Sequence, residues 1–352
     1  MSAGILQSRA ATLEPLLDSP SVDIAPLMST LFTSLGWYVA RADEMGVFAC
    51  MAHAGAARSE EIAAATPLSV RGAEALLGVL CGLDLVRRWT TGEYVLAPVA
   101  REYLDPQRQY YLGLSLRELP NGRPFPEALL KNGKIARLSE ATHDENPDAA
   151  DGFGSRARLD AQHNRNFPSA VVAARTGMFG GLRHLVDVGG GSGVFAVPLA
   201  LDHPQMRITL LELPRGRTHI ASSLARYGVL DRVDLVGWNV FETPWPVEKP
   251  DGILLGNLMH GCDDDECRAL LHEAFDRLVP GGRLLIHEVL WNANKDGPMF
   301  AALFNFSLAA SSGGCQRTRA EFDMLLIDAG FGSICVTPGA GGFSLIGATK
   351  AS

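Results

Sequence analysis

The feature that most constrains the fold of this chain is a glycine-rich turn after a short apolar run. Residues 185–188 read Leu-Val-Asp-Val and residues 189–193 read Gly-Gly-Gly-Ser-Gly. An apolar run of this length is typical of a buried strand, and glycines let the backbone approach a ligand because no Cβ stands in the way. The pattern predicts a strand, a turn and a helix, with the turn facing a ligand, although a purely structural turn would use the same glycines.

After this turn the chain alternates between strand and helix patterns. Apolar strands are predicted at 207–212, 233–236, 252–256 and 283–288, and two closing strands at 334–337 and 344–348. Apolar strands separated by helices form a mostly parallel sheet that is covered on both faces. Residues 181–352 are therefore predicted to be a doubly wound α/β domain.

Residues 1–104 are predicted to be a separate winged-helix domain, because helical patterns precede a β-hairpin at 85–96. Such a domain either binds DNA or forms a dimer. The net charge of -8 and the lack of a dense Lys/Arg run favour dimerisation, since an acidic surface repels phosphate. We therefore expect no nucleic-acid partner. Residues 105–180 are predicted to be a helical linker that contributes to the substrate pocket.

Other bulk features restrict the location of the protein. No apolar run reaches the roughly 20 residues that a membrane helix needs, and the N-terminus lacks the pattern of a secretory signal. The six cysteines are scattered and form no CxxC pair. We predict a cytoplasmic protein with reduced thiols, no membrane partner and no metal site.

Residues at the ends of two further strands favour a nucleoside cofactor. Glu212 ends the second strand, 23 residues after Gly189, where an acid can accept hydrogen bonds from both ribose hydroxyls. The predicted cofactor residues are Asp187, Gly189, Gly191, Glu212, Leu213, Asn239 and Val240. A nicotinamide dinucleotide would also fit the turn and the acid, whereas a triphosphate P-loop is excluded because no Lys-Ser/Thr pair follows the glycines.

The combined motifs resemble the S-adenosylmethionine-dependent small-molecule O-methyltransferases, which include plant caffeate and isoflavone enzymes and bacterial natural-product relatives. The matching segments are 186–193, 212–214, 259–260, 263–267, 280–284, 288, 316–318, 321–322 and 329–331. The resemblance implies the class I methyltransferase fold and S-adenosylmethionine as cofactor. It also implies a homodimer formed through the N-terminal domain, and a small-molecule acceptor from natural-product biosynthesis.

The resemblance further implies the catalytic residues. His260 aligns with the general base, and a neutral imidazole close to a hydroxyl removes its proton. Glu288 aligns with the first of two acids that orient the base, and Gln316 stands at the position of the second, where it can donate a hydrogen bond but carries no charge. The residues expected to line the acceptor pocket are Phe304, Ser307 and Ser311.

Two alternatives to O-methylation stay open. Gly261 and Cys262 replace the Asp-Trp of relatives, which leaves room for a C-methyltransferase that acts on a 2-oxo acid or an electron-rich ring. His163 is expected to contact substrate, and together with His260 it would be able to hold a metal that binds an oxo acid. The other alternative is a catalytically silent ligand-binding regulator, against which the intact Glu212 and His260 argue.

Overall fold

The computed structural model of the chain describes residues 20–31, 35–68, 70, 73, 76–77, 80–81, 83–89, 91–118, 137–142, 156–293, 298, 300–301, 304–305, 308 and 314–351. These residues fall into two compact units, one within residues 20–124 and one within residues 125–352. Among the helices described, none is both long enough and apolar enough to cross a bilayer.

The first unit consists of short helices and a hairpin. Its elements are α1 (Ala25–Leu31), α2 (Gly36–Glu44), α3 (Val47–Ala54), α4 (Ser59–Ala65), β1 (Val86–Arg88), β2 (Tyr94–Leu96), α5 (Pro98–Tyr103) and α6 (Gly113–Arg117). β1 and β2 pair antiparallel, with Val86 opposite Leu96. The helices followed by a hairpin have the order that the sequence predicted for a winged helix.

The boundary between the units lies after residue 124, within the segment 105–180 that is predicted to be a linker. The Tyr111 hydroxyl donates a hydrogen bond of 2.8 Å to the Asp43 carboxylate, so the segment after residue 104 packs in the first unit. In the second unit, α8 (Arg156–Ala174) contacts the segment that follows residue 180, where Asp160 is 2.9 Å from His219. The predicted linker is thus shared between both units, because tertiary contacts and not its composition decide where it packs.

The second unit alternates strands and helices. Besides α8, its elements are α7 (Leu138–Thr142), β3 (His184–Val188), α9 (Ala196–Asp202), β4 (Arg207–Glu212), α10 (Arg217–Arg226), β5 (Val233–Gly237), β6 (Gly252–Gly256), α11 (Asp264–Arg277), β7 (Arg283–Trp291), β8 (Arg317–Thr318), α12 (Arg319–Asp328), β9 (Phe331–Pro338) and β10 (Phe343–Lys350). The bounds of β3 to β7, β9 and β10 agree with those of the predicted strands to within about three residues, whereas β8 was not predicted.

One sheet organises the second unit. Its strand order is β5-β4-β3-β6-β7-β10-β9, and β8 pairs with β7 on the side. The strands β3 to β7 are parallel, whereas β10 runs antiparallel between β7 and β9. The predicted doubly wound, mostly parallel sheet is confirmed. The chain changes direction across the sheet at β3, and ligands bind beside such a switch point at the carboxyl ends of the strands.

The sequence explains why these elements form. The central strands are buried on both faces, as Val186, Leu210 and Leu254 show with no exposed surface. Two of the covering helices start with a capping box, in which Asp263 pairs with Glu266 before α11 and Thr318 pairs with Glu321 before α12. Burial fixes the strands, and the caps fix where the helices begin.

The turn after β3 leaves no room for a side chain at Gly193. Gly193 and Gly181 both have φ of +79°, but a Cβ at Gly193 would lie 2.8 Å from buried Leu224, whereas a Cβ at Gly181 would meet nothing within 4 Å. Both alanine variants should lose about 1 kcal/mol of unfolding free energy from backbone strain. Gly193→Ala should lose roughly 1–3 kcal/mol more from overpacking. Urea denaturation measures both losses, and equal losses would contradict the packing described here.

Candidate active site

A cavity of about 290 Å³ opens at the carboxyl edge of the parallel strands. It lies where the side chains and turns that follow β3, β4, β5 and β6 meet. Its lining includes seven of the predicted site residues, namely Gly189, Gly191, Glu212, Leu213, Asn239, Val240 and His260. The structure therefore brings most of the predicted cofactor residues and the predicted base into one cavity.

Further lining residues were not predicted as site residues. They are Leu138, Arg158, Leu159, Gln162, Trp238, Phe241, Asn257, Leu258, Gly261 and Leu308. Trp238 and Phe241 flank Asn239 and Val240, the predicted cofactor residues after β5, so their place in the sequence could have identified them as lining residues. Arg158 and Gln162 are four residues apart on α8 and hence share one face, which was a weaker signal. The short helix that carries Leu138 lies in a stretch whose composition resembles a linker.

Hydrogen bonds hold the glycine turn on the end of β4. The backbone N–H groups of Gly189 and Gly190 both donate to the carbonyl of Leu211, over 2.9 and 3.2 Å. The Glu212 carboxylate accepts from the N–H of Gly191 (2.8 Å) and from the N–H of Leu213 (2.9 Å). Each carboxylate oxygen keeps a second lone pair, so Glu212 is fixed in place and can still accept from ligand hydroxyls.

Two acids lie close together beside the glycine turn, and the pKa of each is raised. Burial raises the pKa of Glu212, and the two backbone hydrogen bonds oppose that rise. Asp187 is completely buried, and burial followed by the charge of Glu212 raises its pKa to about 7. Neither Asp187 oxygen has a hydrogen-bond partner among the described residues. A ligand with positive charge would stabilise the ionised forms of Glu212 and Asp187.

The position of Asp187 bears on its predicted contact with the cofactor, which stays a prediction. Its side chain does not line the cavity but lies beneath the turn, where a Cβ at Gly190 would be 2.8 Å from Asp187 Oδ2. The alternation of side chains along β3 turns Asp187 to the face of the sheet opposite to that of Val186 and Val188. Asp187 thus packs against the glycine turn that lines the cavity.

The wall formed after β5 is held by two tryptophans. Trp245 is fully buried and its indole N–H donates to the carbonyl of Val240 over 2.7 Å. The indole N–H of Trp238 donates to the carbonyl of Glu242 over 2.8 Å. These bonds fix a short segment that carries both Val240 and Asn239 into the cavity.

The predicted base is held by the predicted acid. His260 lies in a short 3-10 turn, Met259–Gly261, directly after β6, and Glu288 lies on β7 with no exposed surface. Glu288 accepts hydrogen bonds from His260 Nδ1 (2.8 Å) and from the His260 backbone N–H (3.1 Å). A carboxylate at Nδ1 assigns the proton to that nitrogen. His260 Nε2 is then the bare acceptor on a side chain that lines the cavity and is 17% exposed.

The other predicted neighbours of His260 behave differently from one another. Phe304 packs beside the imidazole, with ring centroids 4.8 Å apart. Gln316 is 2% exposed and makes no hydrogen bond to His260, and its side-chain Nε2 has no partner in the part of the chain that the structure describes. Ser307 and Ser311 lie outside the described residues.

His163 lies behind the glycine turn, and its predicted contact with substrate stays a prediction. His163 is 4% exposed and does not line the cavity. Its Nδ1 is 2.8 Å from Ser192 Oγ, and its Nε2 is 3.1 Å from the Tyr227 hydroxyl. One helical residue step rotates a side chain by about 100°, so Gln162 faces the cavity while His163 faces the underside of the glycine turn.

These contacts leave His163 unsuited to metal binding. Burial, followed by the charge of Arg226, lowers the pKa of His163 to about 3 and keeps the ring neutral, but protein hydroxyls occupy both nitrogens. Over the described ranges, no group of three or more His, Cys, Asp or Glu side chains is arranged to hold a metal ion. The metal-assisted alternative therefore lacks its second histidine ligand.

Two family models match the chain. The model described as an O-methyltransferase domain matches residues 159–332, and the model described as an O-methyltransferase dimerisation domain matches residues 39–106. Together they account for well over half of the chain. The first match contains all the residues that line the cavity except Leu138 and Arg158, and the second contains α3, α4, the hairpin and α5 of the first unit.

Individual proteins are similar over most of the chain. The 3-hydroxy-5-methyl-1-naphthoate 3-O-methyltransferase of Streptomyces sahachiroi is 29% identical over 85% of this chain and 88% of its own length. The tetracenomycin polyketide synthesis 8-O-methyl transferase of Streptomyces glaucescens is 28% identical over 77% and 80%. Human N-acetylserotonin methyltransferase, solved in complex with S-adenosylmethionine, shares the fold with a TM-score of 0.72 at 22% identity over 92% and 95%.

The raised pKa of Asp187 predicts how stability depends on pH. An aspartate in the unfolded chain titrates near 4, whereas Asp187 in the folded protein titrates at about 7. The folded state therefore binds a proton that the unfolded state releases, and the unfolding free energy falls as pH rises between those values. Asp187→Asn should reduce this loss between pH 5 and 8 by an amount on the order of 2 kcal/mol.

Urea denaturation of the ligand-free protein at both pH values measures this effect. Asp265→Asn is the matched control, because the Asp265 side chain is 81% exposed and should leave the pH dependence unchanged. An Asp187→Asn protein whose stability falls with pH as steeply as the wild type would contradict the assignment.

Proposed function

Since the chain belongs to the O-methyltransferase family, we propose that it transfers a methyl group from S-adenosylmethionine to a hydroxyl oxygen of a small aromatic molecule. The observation that carries this proposal is the single cavity that contains both Glu212 and His260. An acid suited to a ribose and a base suited to a hydroxyl thus line the same cavity.

The residues around the glycine turn fit S-adenosylmethionine. Glu212 would accept hydrogen bonds from the ribose hydroxyls, and Leu213 and Val240 would contact the adenine. When bound, this cofactor supplies a methyl group on a positively charged sulfur. The buried carboxylates of Glu212 and Asp187 favour a ligand of that charge, because the charge of Glu212 raises the cost of keeping Asp187 ionised.

His260 would act as the general base. Its bare Nε2 faces the cavity and would accept the proton that the acceptor hydroxyl loses. Glu288 holds Nδ1–H at 2.8 Å and would stabilise the imidazolium that forms. Because Glu288 is completely buried, water screens this attraction only weakly.

The nature of the cavity wall supports an aromatic acceptor. Leu138, Leu258 and Leu308 give one part of the cavity an apolar lining, and Phe304 packs on His260 beside it. Apolar walls of this kind accommodate rings, with a few polar groups to set their orientation. Because the two Streptomyces relatives act on a hydroxynaphthoate and in polyketide synthesis, we place this protein in natural-product biosynthesis.

The N-terminal unit would form a homodimer. The match to a dimerisation domain spans 39–106, and Trp37 and Tyr38 on α2 expose 40% and 37% of their surfaces. Exposed aromatic side chains of this size are typical of residues that a partner covers. A cytoplasmic location, which the scattered cysteines favour, stays a prediction.

One experiment tests the proposed reaction. The purified protein is incubated with trideuteromethyl-labelled S-adenosylmethionine and a panel that contains 3-hydroxy-5-methyl-1-naphthoate, other naphthols, N-acetylserotonin and several 2-oxo acids. Mass spectrometry and NMR then identify the atom that gains the label. Label on a phenolic oxygen supports the proposal, whereas label on carbon supports the C-methyltransferase alternative. Binding of S-adenosylhomocysteine without any transfer would support the silent regulator.

Substitutions of His260 and Glu288 should lower kcat in the same assay. His260→Ala should lower kcat by about 10²- to 10⁴-fold, because the acceptor loses its general base. Glu288→Gln should lower kcat less, since glutamine still accepts a hydrogen bond from Nδ1 but carries no charge. Calorimetry should show unchanged affinity for S-adenosylhomocysteine in both variants.

His272→Ala is the control for these variants, because this histidine is exposed on α11. It should have wild-type kcat. Full activity in His260→Ala, in a protein that still binds S-adenosylhomocysteine, would remove His260 from the reaction.

A further inference from the structure

Arg317 is a buried cation that the reaction described above does not use. It is the first residue of the short strand β8 and is 2% exposed. Arginine is almost never this buried unless its charge and its N–H groups are paired. The groups that its guanidinium contacts therefore indicate what it does.

The guanidinium is surrounded by oxygens from the turn that carries His260. Nη1 donates to the carbonyl of Met259 over 2.9 Å, and Nη2 donates to the carbonyl of Cys262 over 3.0 Å. These carbonyls belong to the residue before His260 and to the second residue after it. Nη2 also donates to the Asp264 carboxylate at the start of α11, over 2.8 Å. The Arg317 side chain thus holds both ends of the turn that carries His260.

The backbone around Arg317 is tied to the strand that carries Glu288. β8 pairs with β7 in parallel, with Arg317 opposite Leu290, two residues after Glu288. Just before β8, a Cβ on Gly314 would lie 2.1 Å from the carbonyl oxygen of His260, so this segment runs directly against the turn. Arg317 therefore connects the strand that carries Glu288 with the turn that carries His260.

We propose that Arg317 is a positioning residue that sets the hydrogen bond between His260 and Glu288. This inference rests on the proposed role of His260 as general base. The guanidinium holds the turn so that Nδ1 meets Glu288 and the bare Nε2 faces the cavity. Without it, the carbonyls of Met259 and Cys262 lose their shared donor, and the imidazole is free to shift by a distance that matters for proton transfer.

The geometry requires arginine and not merely a positive charge. Two carbonyls and a carboxylate are reached at once because the guanidinium is a rigid planar fork with five N–H donors. A lysine ammonium at the end of a flexible chain would keep the charge but would not hold both carbonyls at fixed separation. Arg317→Lys should therefore recover only part of the activity that Arg317→Ala loses.

The chain provides a matched control at Arg283. This residue begins β7, the strand of Glu288, and its guanidinium donates to the carbonyls of Met178 (2.7 Å) and Gly180 (2.6 Å). It fixes a different short turn with the same chemistry, and it does not line the cavity. Arg283→Ala measures what the loss of such a clamp does to stability alone.

The test compares Arg317→Ala, Arg317→Lys and Arg283→Ala in the full-length protein. Melting temperature, calorimetric affinity for S-adenosylhomocysteine, and kcat with the best acceptor of the phenol panel are measured well below the melting temperature. We expect kcat to fall about 100-fold in Arg317→Ala and less in Arg317→Lys, with unchanged S-adenosylhomocysteine affinity. Arg283→Ala should lose stability but keep wild-type kcat. Should Arg317→Ala fail to fold, the lysine variant decides by the same criteria.

A second readout needs no acceptor. Nitrogen-15 NMR of the His260 ring, with S-adenosylhomocysteine bound, should show one tautomer with the proton on Nδ1 in the wild type. It should show a mixture of tautomers in Arg317→Lys. This readout separates the two proposals, because it reports on the position of His260 even if the wild type methylates none of the acceptors. Wild-type kcat together with a single Nδ1–H tautomer in the Arg317 variants would overturn the inference.

Discussion

The parallel arrangement of β3 to β7 is the constraint on which the rest of the second unit depends. Because all five strands run in one direction, their carboxyl ends lie on one edge of the sheet, and the turns that follow them meet there. Glu212 and His260 are far apart in sequence, but both leave the sheet at this edge and face the same cavity. The reversal of strand order at β3 opens the space between them.

Buried charge is the second organising feature of this edge. Glu288 is completely enclosed, and two hydrogen bonds from His260 compensate the cost of burying it. Asp187 has no such partner among the described residues and responds with a raised pKa. The buried guanidinium of Arg317 is paired with two carbonyls and an acid. The paired acid Glu288, beside His260, suits a residue that accepts a proton. The acid beneath the glycine turn, Asp187, suits a site for a cationic ligand.

The sequence predicted the fold well, because apolar strands and capped helices are local patterns that burial enforces. It also predicted the lining residues that follow strand ends, such as Glu212 and His260. It did not predict that Asp187 and His163 are buried beside the glycine turn, since the face toward which each side chain turns depends on packing that no motif records. The role of Arg317 was not predictable either, because two of its partners are backbone carbonyls, which leave no trace in the residue types around it.

A structure of the protein with S-adenosylhomocysteine and its best phenolic acceptor would show whether Glu212 and His260 act as proposed. We expect the ribose hydroxyls on Glu212 and the acceptor oxygen at about 2.6–3.2 Å from His260 Nε2, within reach for proton transfer. A nucleoside bound away from Glu212, or an acceptor oxygen beyond the reach of His260, would contradict it.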